Sequence, residues 1–318
     1  MTPIAARAPT VRAALDILAA ASLWGGMYVV SAATFERIPP VTLGLLRLLV
    51  GAALLTLIFR GRPGLGEAPR GRLVGAGAIL ALTLVLQFVG TDLTGAAEGA
   101  LLTTTTPAFV LLFAAVFEGS RARPLAWGGV AVALAGVVVL ASRNASFVGA
   151  SPGALVGDAL LVGSAATWAL FSSVGRPLVA AVGAFRAIFG ASLVAIAFLL
   201  PLVPFELAGR SLPALDWQTV GAVAYLGVMA TAVAWSLWYR GYASAPPTVT
   251  AALFFAQPLV GAALGVAFLS EYLGPAFAAG AGLIAAGVLA IAWGGSRVVP
   301  GSPVMRAVDS PDATGGNA

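Results

Sequence analysis

The chain has 318 residues, of which 60% are hydrophobic and 9% charged, and its mean hydropathy is +0.99. Soluble domains carry roughly 25% charged residues, so this composition excludes a water-soluble globular fold and indicates a protein embedded in the lipid bilayer. The net charge of +5 comes from arginines spread between apolar runs, which is typical of membrane topology and not of nucleic-acid binding. Because the sequence contains no cysteine and no histidine, we expect no disulfide, no metal site and no cofactor.

Ten apolar stretches of about 20 residues, the length that a membrane-spanning helix needs, follow one another along the chain. They are apolar all round, which favours lipid-embedded helices, and the two-residue alternation of a membrane barrel is absent from the sequence. The predicted spans are residues 13–33, 41–59, 72–92, 97–117, 124–141, 153–174, 180–203, 218–239, 247–269 and 276–295. We therefore predict an all-α integral membrane protein with ten transmembrane helices, here called helices one to ten.

The arginines predict the orientation of these helices. If the N-terminus lies inside the cell, the inside segments hold twelve arginines, the outside loops hold three, and two arginines fall within spans. This positive-inside bias predicts a multi-pass protein of a cell membrane, of the bacterial inner or plasma type, with both termini cytoplasmic. Residues 1–12 would be a cytoplasmic N-terminus, and residues 296–318, rich in Pro, Gly, Asp and Ser, a disordered cytoplasmic tail.

The two halves of the sequence resemble each other. The segment that starts at Arg47 in helix two parallels the segment that starts at Arg186 in helix seven. Three positions in the first half parallel three in the second at one constant offset of 151 residues: Pro107, Ser120 and Pro124 correspond to Pro258, Glu271 and Pro275. The repeats are residues 13–141 and 153–295, with five helices each. Since five is odd, the second copy enters the membrane from the opposite side, an inverted arrangement that recurs in secondary transporters. A scaffold built by gene duplication is the alternative.

A proline in the fourth helix and a glycine-rich fifth helix recur in both halves. The segments concerned are Thr106-Pro107-Ala108-Phe109, Gln257-Pro258-Leu259-Val260, Glu271-Tyr272-Leu273-Gly274-Pro275, Gly129 to Gly136 and Gly280 to Gly287. This ordered set, over residues 13–295, resembles the EamA-like branch of the drug/metabolite transporter superfamily. The resemblance implies a cavity lined by helices one, three, four, six, eight and nine, with helices two and seven peripheral. It also implies export of small metabolites, amino acids or amphipathic compounds. The first half departs from the pattern, because Ser120 stands where the family often has an acidic residue.

Polar side chains within a span are unfavourable unless they pair or face a cavity, so they are the candidates for a substrate site. In helix four, Glu98 and Thr105 are seven residues apart and share one face. Pro107 cannot donate to the carbonyl of Thr103, and Pro258 frees a carbonyl in helix nine in the same way. A kink with threonines bonded to their own helix is the alternative. The candidate cavity-lining residues here are Glu98, Thr103, Thr105, Thr106 and Gln257, and the candidate helix breaks are Pro107 and Pro258.

Glu98 is also the candidate for proton coupling, because burial favours the neutral carboxyl group and would let it load and release a proton. The alternative is a solvated residue at the outer water interface, near Asp92, since Glu98 lies close to the start of its span. The interfacial interpretation is the one we favour for Asp16 and Asp158, which lie near the starts of helices one and six.

Aromatic residues in the expected cavity helices are further candidates. Trp24, Tyr28 and Trp168 lie deep in helices one and six, where they could stack on aromatic cargo, hold a cation through their ring faces, or only pack between helices. Gln87 in helix three and Tyr225 in helix eight complete the candidate set.

Three further sets of residues have structural interpretations. Arg47 and Arg186 could bind an anionic group of the substrate, but the peripheral position of helix two favours snorkelling or pairing with a loop carboxylate. Trp238, near the end of helix eight, is expected to be an interfacial anchor. The small-xxx-small pairs Gly129/Ala133 and Gly282/Ala286, with Gly136 and Gly287 nearby, could join helices five and ten within one chain or join two chains in a homodimer.

These features predict a secondary transporter that works by alternating access in the lipid bilayer on a small-molecule substrate. No G-x-x-x-x-G-K-[ST] loop occurs in the sequence, so the energy would come from protons, from exchange, or from the gradient of the cargo itself. The alternatives are a facilitative or exchange carrier without proton coupling, a channel, and a membrane-embedded lipid-modifying enzyme. The enzyme is disfavoured because no nucleophile with a base is recognisable in the sequence. We therefore expect the protein not to be an enzyme.

Overall fold

In a computed structural model, the chain folds into a bundle of α-helices. The structure describes residues 11–58, 68–118, 121–146, 153–208, 216–242, 253–294 and 296–297. The helices are α1 (Val11–Ala32), α2 (Pro40–Ile58), α3 (Arg70–Thr94), α4 (Ala96–Leu102), α5 (Thr106–Glu118), α6 (Pro124–Ser146), α7 (Ala154–Val182), α8 (Ala184–Leu199), α9 (Val203–Leu207), α10 (Trp217–Ala224), α11 (Ala234–Tyr242), α12 (Ala256–Leu269) and α13 (Pro275–Gly294). The 3-10 turns Thr103–Thr105 and Leu200–Leu202 join α4 to α5 and α8 to α9, and the π-helix Tyr225–Val233 joins α10 to α11.

The architecture is that of an integral membrane protein. Eight of the described helical segments are long and apolar enough to cross a membrane, and the apolar helices Pro124–Leu140 and Ala256–Leu269 are shorter. Large apolar side chains face outwards, as Leu57 and Phe268 do with 74% of each exposed, which suits a surface in contact with lipid. The ninth predicted span begins at residues 247–252, which lie outside the described residues, and ten spanning helices therefore stay a prediction.

A short strand pair joins the segment before α6 to the segment after α13. The strand β1 (Arg121–Ala122) pairs antiparallel with β2 (Ser296–Arg297), with Arg121 opposite Arg297. The predicted tail therefore starts with two residues in regular structure, and its remaining residues, 298–318, lie outside the described ones. Likewise, the predicted N-terminal segment 1–12 overlaps α1, which begins at Val11.

Glycines bring α6 and α13 into backbone contact. A Cβ atom added to Gly287 would lie 2.5 Å from the carbonyl oxygen of Gly129, and one added to Gly136 would lie 2.8 Å from that of Gly280. Without a hydrophobic driving force in lipid, such close approach is what stabilises helix pairs. These glycines therefore join α6 to α13 within one chain. Gly282 does not take part as predicted, because a Cβ atom there would meet nothing within 4 Å.

Close approach also places the helices that surround the centre of the bundle. A Cβ atom at Gly25 of α1 would lie 2.5 Å from the carbonyl oxygen of Gln257 in α12. One at Gly51 of α2 would lie 2.8 Å from the Cγ2 atom of Thr231 in the π-helix. These contacts bring α1 against α12, and α2 against the π-helix, at the depth where polar side chains lie.

Carboxylates from distant parts of the chain cap two helices. Glu206 accepts hydrogen bonds from the backbone N–H groups of Val41 (2.8 Å) and Thr42 (2.7 Å) at the start of α2. Glu271 accepts one from the backbone N–H of Ala97 (2.9 Å) at the start of α4. The first N–H groups of a helix lack partners within it, so these carboxylates satisfy them and complement the helix dipole.

Candidate functional site

A partly open cavity lies within the bundle. The cavity lies between six of the predicted helices, namely one, three, four, six, eight and nine, and it includes one residue of helix two. Its lining consists of Trp24, Met27, Tyr28, Arg47, Thr83, Leu84, Gln87, Thr103, Thr106, Ser164, Ala165, Trp168, Trp235, Trp238, Phe254 and Gln257. Seven of the ten residues predicted to line a cavity are in this set: Trp24, Tyr28, Gln87, Thr103, Thr106, Trp168 and Gln257.

A chain of side-chain hydrogen bonds crosses one wall of the cavity. The Nε2 atom of Gln87 donates to the hydroxyl of Tyr28 (2.6 Å), which lies 2.6 Å from the hydroxyl of Thr103. From the other side, the Nε2 atom of Gln257 donates to the Thr103 hydroxyl (3.1 Å). Buried polar groups need such partners, so this row of hydrogen bonds holds four of the predicted helices, one, three, four and nine, together around the cavity.

The threonine cluster interrupts the fourth predicted span. The 3-10 turn Thr103–Thr105 separates α4 from α5, and Pro107 follows it directly. The carbonyl oxygen of Thr103, which Pro107 was predicted to leave open, accepts a hydrogen bond from the hydroxyl of Thr106 (2.8 Å). Thr105 does not line the cavity as predicted, because it is fully buried and its hydroxyl donates to the carbonyl of Leu102 (2.7 Å). The threonine hydroxyls thus bond back to their own helix, as in the weighed alternative, while Thr103 and Thr106 also line the cavity.

Pro258 marks the matching interruption before α12. It lies in the first turn of that helix, just after a break at Phe255. Proline is tolerated there because the first N–H groups of a helix need no partner within it. Gln257, only 3% exposed, lies directly before this proline and in contact with the 3-10 turn, whose Thr103 hydroxyl accepts its hydrogen bond.

Five aromatic rings form much of the remaining wall. Ring centroids lie 5.3 Å apart for Trp24 and Trp238, and 5.1 Å apart for Trp238 and Phe254. Trp168 and Trp235 form a second pair at 6.5 Å. The prediction of an interfacial anchor is wrong for Trp238, because this end of helix eight packs inward against α1. These faces can stack on an apolar or aromatic cargo.

Among the described residues that line the cavity, Arg47 is the one that carries a charge, and its predicted exposure by snorkelling is wrong. The residue is 3% exposed, and its Nε atom donates to the Thr231 hydroxyl (2.8 Å). Its Nη1 and Nη2 atoms donate to the sulfur of Met27 (2.9 Å) and the carbonyl of Ala230 (3.3 Å). Arg186, its predicted counterpart, is exposed near the start of α8, so the two arginines occupy different environments.

The π-helix, which was not predicted, supplies two of the three described partners of Arg47, namely Thr231 and Ala230. In it, the hydroxyl of Thr231 donates to the carbonyl of Leu226 (2.9 Å), five residues earlier, as the wider turn allows. The carbonyl of Ala230 accepts from both the Trp24 indole (2.9 Å) and Arg47. The sequence held one signal for the site: an arginine in the middle of an apolar span requires polar partners at the same depth.

Besides Thr105, two other predicted site residues lie away from the cavity, namely Glu98 and Tyr225. Glu98 is 2% exposed and lines a small second pocket with Glu271 and Tyr272. It is neither on the cavity wall nor solvated, because it lies in the first turn of α4, which packs against α1 and α12. Tyr225 is a packing residue whose hydroxyl donates to the carbonyl of Leu23 (2.9 Å).

The two aspartates predicted to be interfacial are also buried. Asp16 is 7% exposed and Asp158 is 2% exposed. The carboxylate of Asp16 accepts a 2.6 Å hydrogen bond from the Nε atom of Arg240 and another, of equal length, from its Nη2 atom. Arg240 lies just after the predicted helix eight, and this bidentate bond raises its pKa.

Comparison with known proteins gives matches along most of the chain. The EamA-like transporter family matches it in two segments, residues 11–142 and 155–293. The uncharacterized inner membrane transporter YedA of Escherichia coli (strain K12) is 27% identical over 90% of this chain and 92% of its own length. A probable amino-acid metabolite efflux pump of the same strain is 27% identical over 79% of this chain and 85% of its own. One solved crystal structure, 24% identical, covers 88% of this chain and 95% of its own with a TM-score of 0.64, which shows a shared fold.

Proposed function

Because this chain belongs to the EamA-like transporter family of the drug/metabolite superfamily, we propose that it is a secondary transporter that exports small metabolites, amino acids or amphipathic compounds by alternating access. The observation that carries the proposal is the central cavity, which combines aromatic faces with a buried row of hydrogen-bonding groups. A cavity of this kind binds small organic molecules and orients them through few polar contacts. The relative named as an amino-acid metabolite efflux pump supports export.

The ten spans form two inverted five-helix repeats in this proposal. The family matches the chain twice, once in each predicted half. Gln257, beside the break at Pro258, bonds to Thr103 in the turn before Pro107, and the fifth and tenth predicted helices, α6 and α13, pack on one another. Two similar halves of opposite orientation can exchange conformations and open the cavity to either side.

Contacts between loops support the proposed sidedness. The Nη1 atom of Arg37, after helix one, lies 3.1 Å from the Oδ2 atom of Asp216, before helix eight. Both loops belong to the outer side in the topology with a cytoplasmic N-terminus. The backbone of Arg121 pairs with that of Arg297 in the short strand pair, and both residues belong to the inner side. With the positive-inside bias, both termini are cytoplasmic in a bacterial inner membrane.

Single cysteines test this topology, since the natural chain has none. The exposed residues Glu36 and Gln218 would be replaced by cysteine for the outer side, and the exposed residues Arg12 and Arg123 for the inner side. A membrane-impermeant maleimide added to intact cells should label the first pair only, and added to inverted vesicles the second pair only. Labelling of one cysteine from each pair on the same side would contradict the inverted repeat.

Transport itself is tested in proteoliposomes with radiolabelled amino acids and fluorescent amphipathic compounds, with and without a pH gradient. Saturable flux is expected, and Gln257→Ala should reduce it because the variant removes a donor from the cavity wall. Gln218→Ala, which changes an exposed glutamine, is the matched control. Flux that does not saturate would indicate a channel, and product formation without a gradient an enzyme.

Proton coupling through Glu98 is the finer part of the proposal. Glu98 and Glu271 share the second pocket, where a proton could load a buried carboxyl group. Glu98→Gln should remove the dependence of saturable flux on the pH gradient. If that dependence persists in Glu98→Gln, the transporter works by exchange or facilitated diffusion, or its protons pass elsewhere.

A further inference from the structure

We propose that the cargo of the central cavity carries a carboxylate that binds to Arg47, next to an apolar or aromatic body. This inference rests on the transport function proposed above and names its substrate class. It depends on the charge balance of the cavity, on the donors that Arg47 has available, and on the surface that surrounds it.

The charge of Arg47 has no counter-ion in the described part of the chain. Its three hydrogen-bond partners there are a hydroxyl, a thioether and a carbonyl, all of them neutral. Of the sixteen residues that line the cavity in the described ranges, one is cationic and none is acidic. A cation out of water and without an anion is unfavourable, so an anionic ligand would be attracted to it.

The guanidinium group has donors available for such a ligand. Arginine carries five N–H groups, and the described contacts of Arg47 use three of them. One of these three goes to the sulfur of Met27, which is a weak acceptor that a carboxylate oxygen can replace. Arginine binds carboxylates through two parallel N–H groups, and the fixed fork of the group matches their geometry.

A purely structural role does not account for this residue. Arg47 does join α2 to the π-helix through Thr231 and Ala230, and its guanidinium carbon lies 5.8 Å from the centroid of the Phe88 ring, but none of these partners carries a negative charge. The close approach at Gly51 already packs α2 against the π-helix. The positive charge is therefore the feature that a ligand explains.

The rest of the cavity sets the form of the ligand body. Trp168 and Trp235 offer ring faces on one part of the wall, and Trp24 and Trp238 on another. Such rings bind apolar and aromatic groups, and they also attract an ammonium group, if the cargo has one, through their negative faces. Small aromatic or aliphatic carboxylates, including zwitterions, fit this combination of groups.

Matched pairs of probes test the inference on the full-length protein in nanodiscs. Calorimetry would compare 3-phenylpropionate with 3-phenylpropionamide, and L-phenylalanine with L-phenylalaninamide. We expect each carboxylate to bind roughly tenfold or more tightly than its amide, as a charge-assisted bond predicts. This wild-type comparison needs no variant, so it holds even where a substitution disturbs folding. Equal binding of acid and amide, or no binding of either acid, overturns the inference.

Variants then assign the effect to one residue. Arg47→Met should remove the preference for the acid, whereas Arg47→Lys, which keeps the charge without the fork, should keep part of it. Arg186→Met is the matched control, because Arg186 is an exposed arginine outside the cavity. A preference that is unchanged in Arg47→Met, in a variant that melts as the wild type does, contradicts the assignment.

The same preparation separates this inference from the proposed function. Saturable flux of neutral compounds, together with equal binding of acid and amide, would leave a transporter whose cargo is not a carboxylate. Arg47-dependent binding of the acids without flux of any compound, under any gradient, would leave the anion site and remove the transport function.

Discussion

The hydroxyl oxygens of Tyr28 and Thr103 lie 2.6 Å apart and join α1 to the 3-10 turn between α4 and α5. Gln87 of α3 and Gln257 of α12 extend the contact on both sides. One chain of four side chains thus links helices from both predicted halves at the cavity wall. If these helices separate when the cavity opens, as the proposed alternating access requires, these hydrogen bonds have to break or change partners.

Tyr28→Phe should weaken both stability and cargo binding. The variant leaves the Nε2 atom of Gln87 without its acceptor in a part-buried site, which should cost unfolding free energy near the lower end of about 1–3 kcal/mol. Thermal unfolding in detergent and saturable flux in proteoliposomes measure the two effects. The control is Tyr225→Phe, which removes a hydroxyl bonded to the carbonyl of Leu23 outside the cavity. It should lower stability but leave the half-saturation concentration unchanged, and equal shifts in both variants would contradict a binding role for Tyr28.

Glu271→Ala should destabilise the start of α4. Its carboxylate accepts from the backbone N–H groups of Ala96 and Ala97, which have no partners within the helix. Loss of such a cap costs about 0.5–2 kcal/mol, measured by thermal unfolding, and Glu271→Gln should retain part of the stability because one acceptor oxygen remains. Glu36→Gln, at an exposed carboxylate, should unfold as the wild type does. A Glu271→Ala variant with wild-type stability would show that the cap contributes nothing.

The sequence predicted the helical membrane fold because twenty-residue apolar runs have few other solutions. It also indicated seven of the residues around the cavity, since polar and aromatic groups at depth are rarely accidental. Thr105 and Glu98 show its limit. They are seven residues apart and share one helix face, but neither lines the cavity, because spacing alone does not tell which face of a span borders a cavity.

Arg47 shows a different limit. The resemblance placed helix two at the periphery, and a lone arginine there is reasonably expected to reach the interface. Its burial depends on Gly51 and Gly227, whose missing side chains let α2 approach the π-helix. That approach is a tertiary contact between residues far apart in the chain, and the π-helix itself has no reliable sequence pattern.

Asp216 should make stability depend on pH at the acidic end. It caps α10 by accepting a hydrogen bond from the backbone N–H of Thr219 (2.8 Å), and this bond, helped by Arg37, lowers the pKa of Asp216 below its ordinary value of 3.8. A carboxylate with a lowered pKa stabilises the fold above its unfolded-state pKa and loses that contribution as pH falls through the folded-state pKa.

The measurement is the melting temperature of the wild type and Asp216→Ala between about pH 3 and pH 7. The wild type should melt higher at neutral pH, and the difference should shrink as the pH falls below about 4. Asp216→Asn keeps a capping side chain that does not titrate, so its melting temperature relative to Asp216→Ala should stay constant across this range. A wild-type advantage that grows on acidification would have the wrong sign for this cap.

Gly287→Ala should separate α6 from α13. A Cβ atom at this position would lie 2.5 Å from the backbone nitrogen of Ala133 and from the carbonyl oxygen of Gly129, and backbone atoms of a packed helix cannot move aside alone. Overpacking of this kind costs about 1–3 kcal/mol. Gly282→Ala is the matched control on the same helix, because its Cβ atom would meet nothing within 4 Å. It should be neutral or stabilising by up to about 1 kcal/mol, as alanine favours helix more than glycine does. Thermal unfolding in lipid nanodiscs compares the two variants. If both unfold as the wild type does, the glycines are not what holds α6 and α13 together in the membrane.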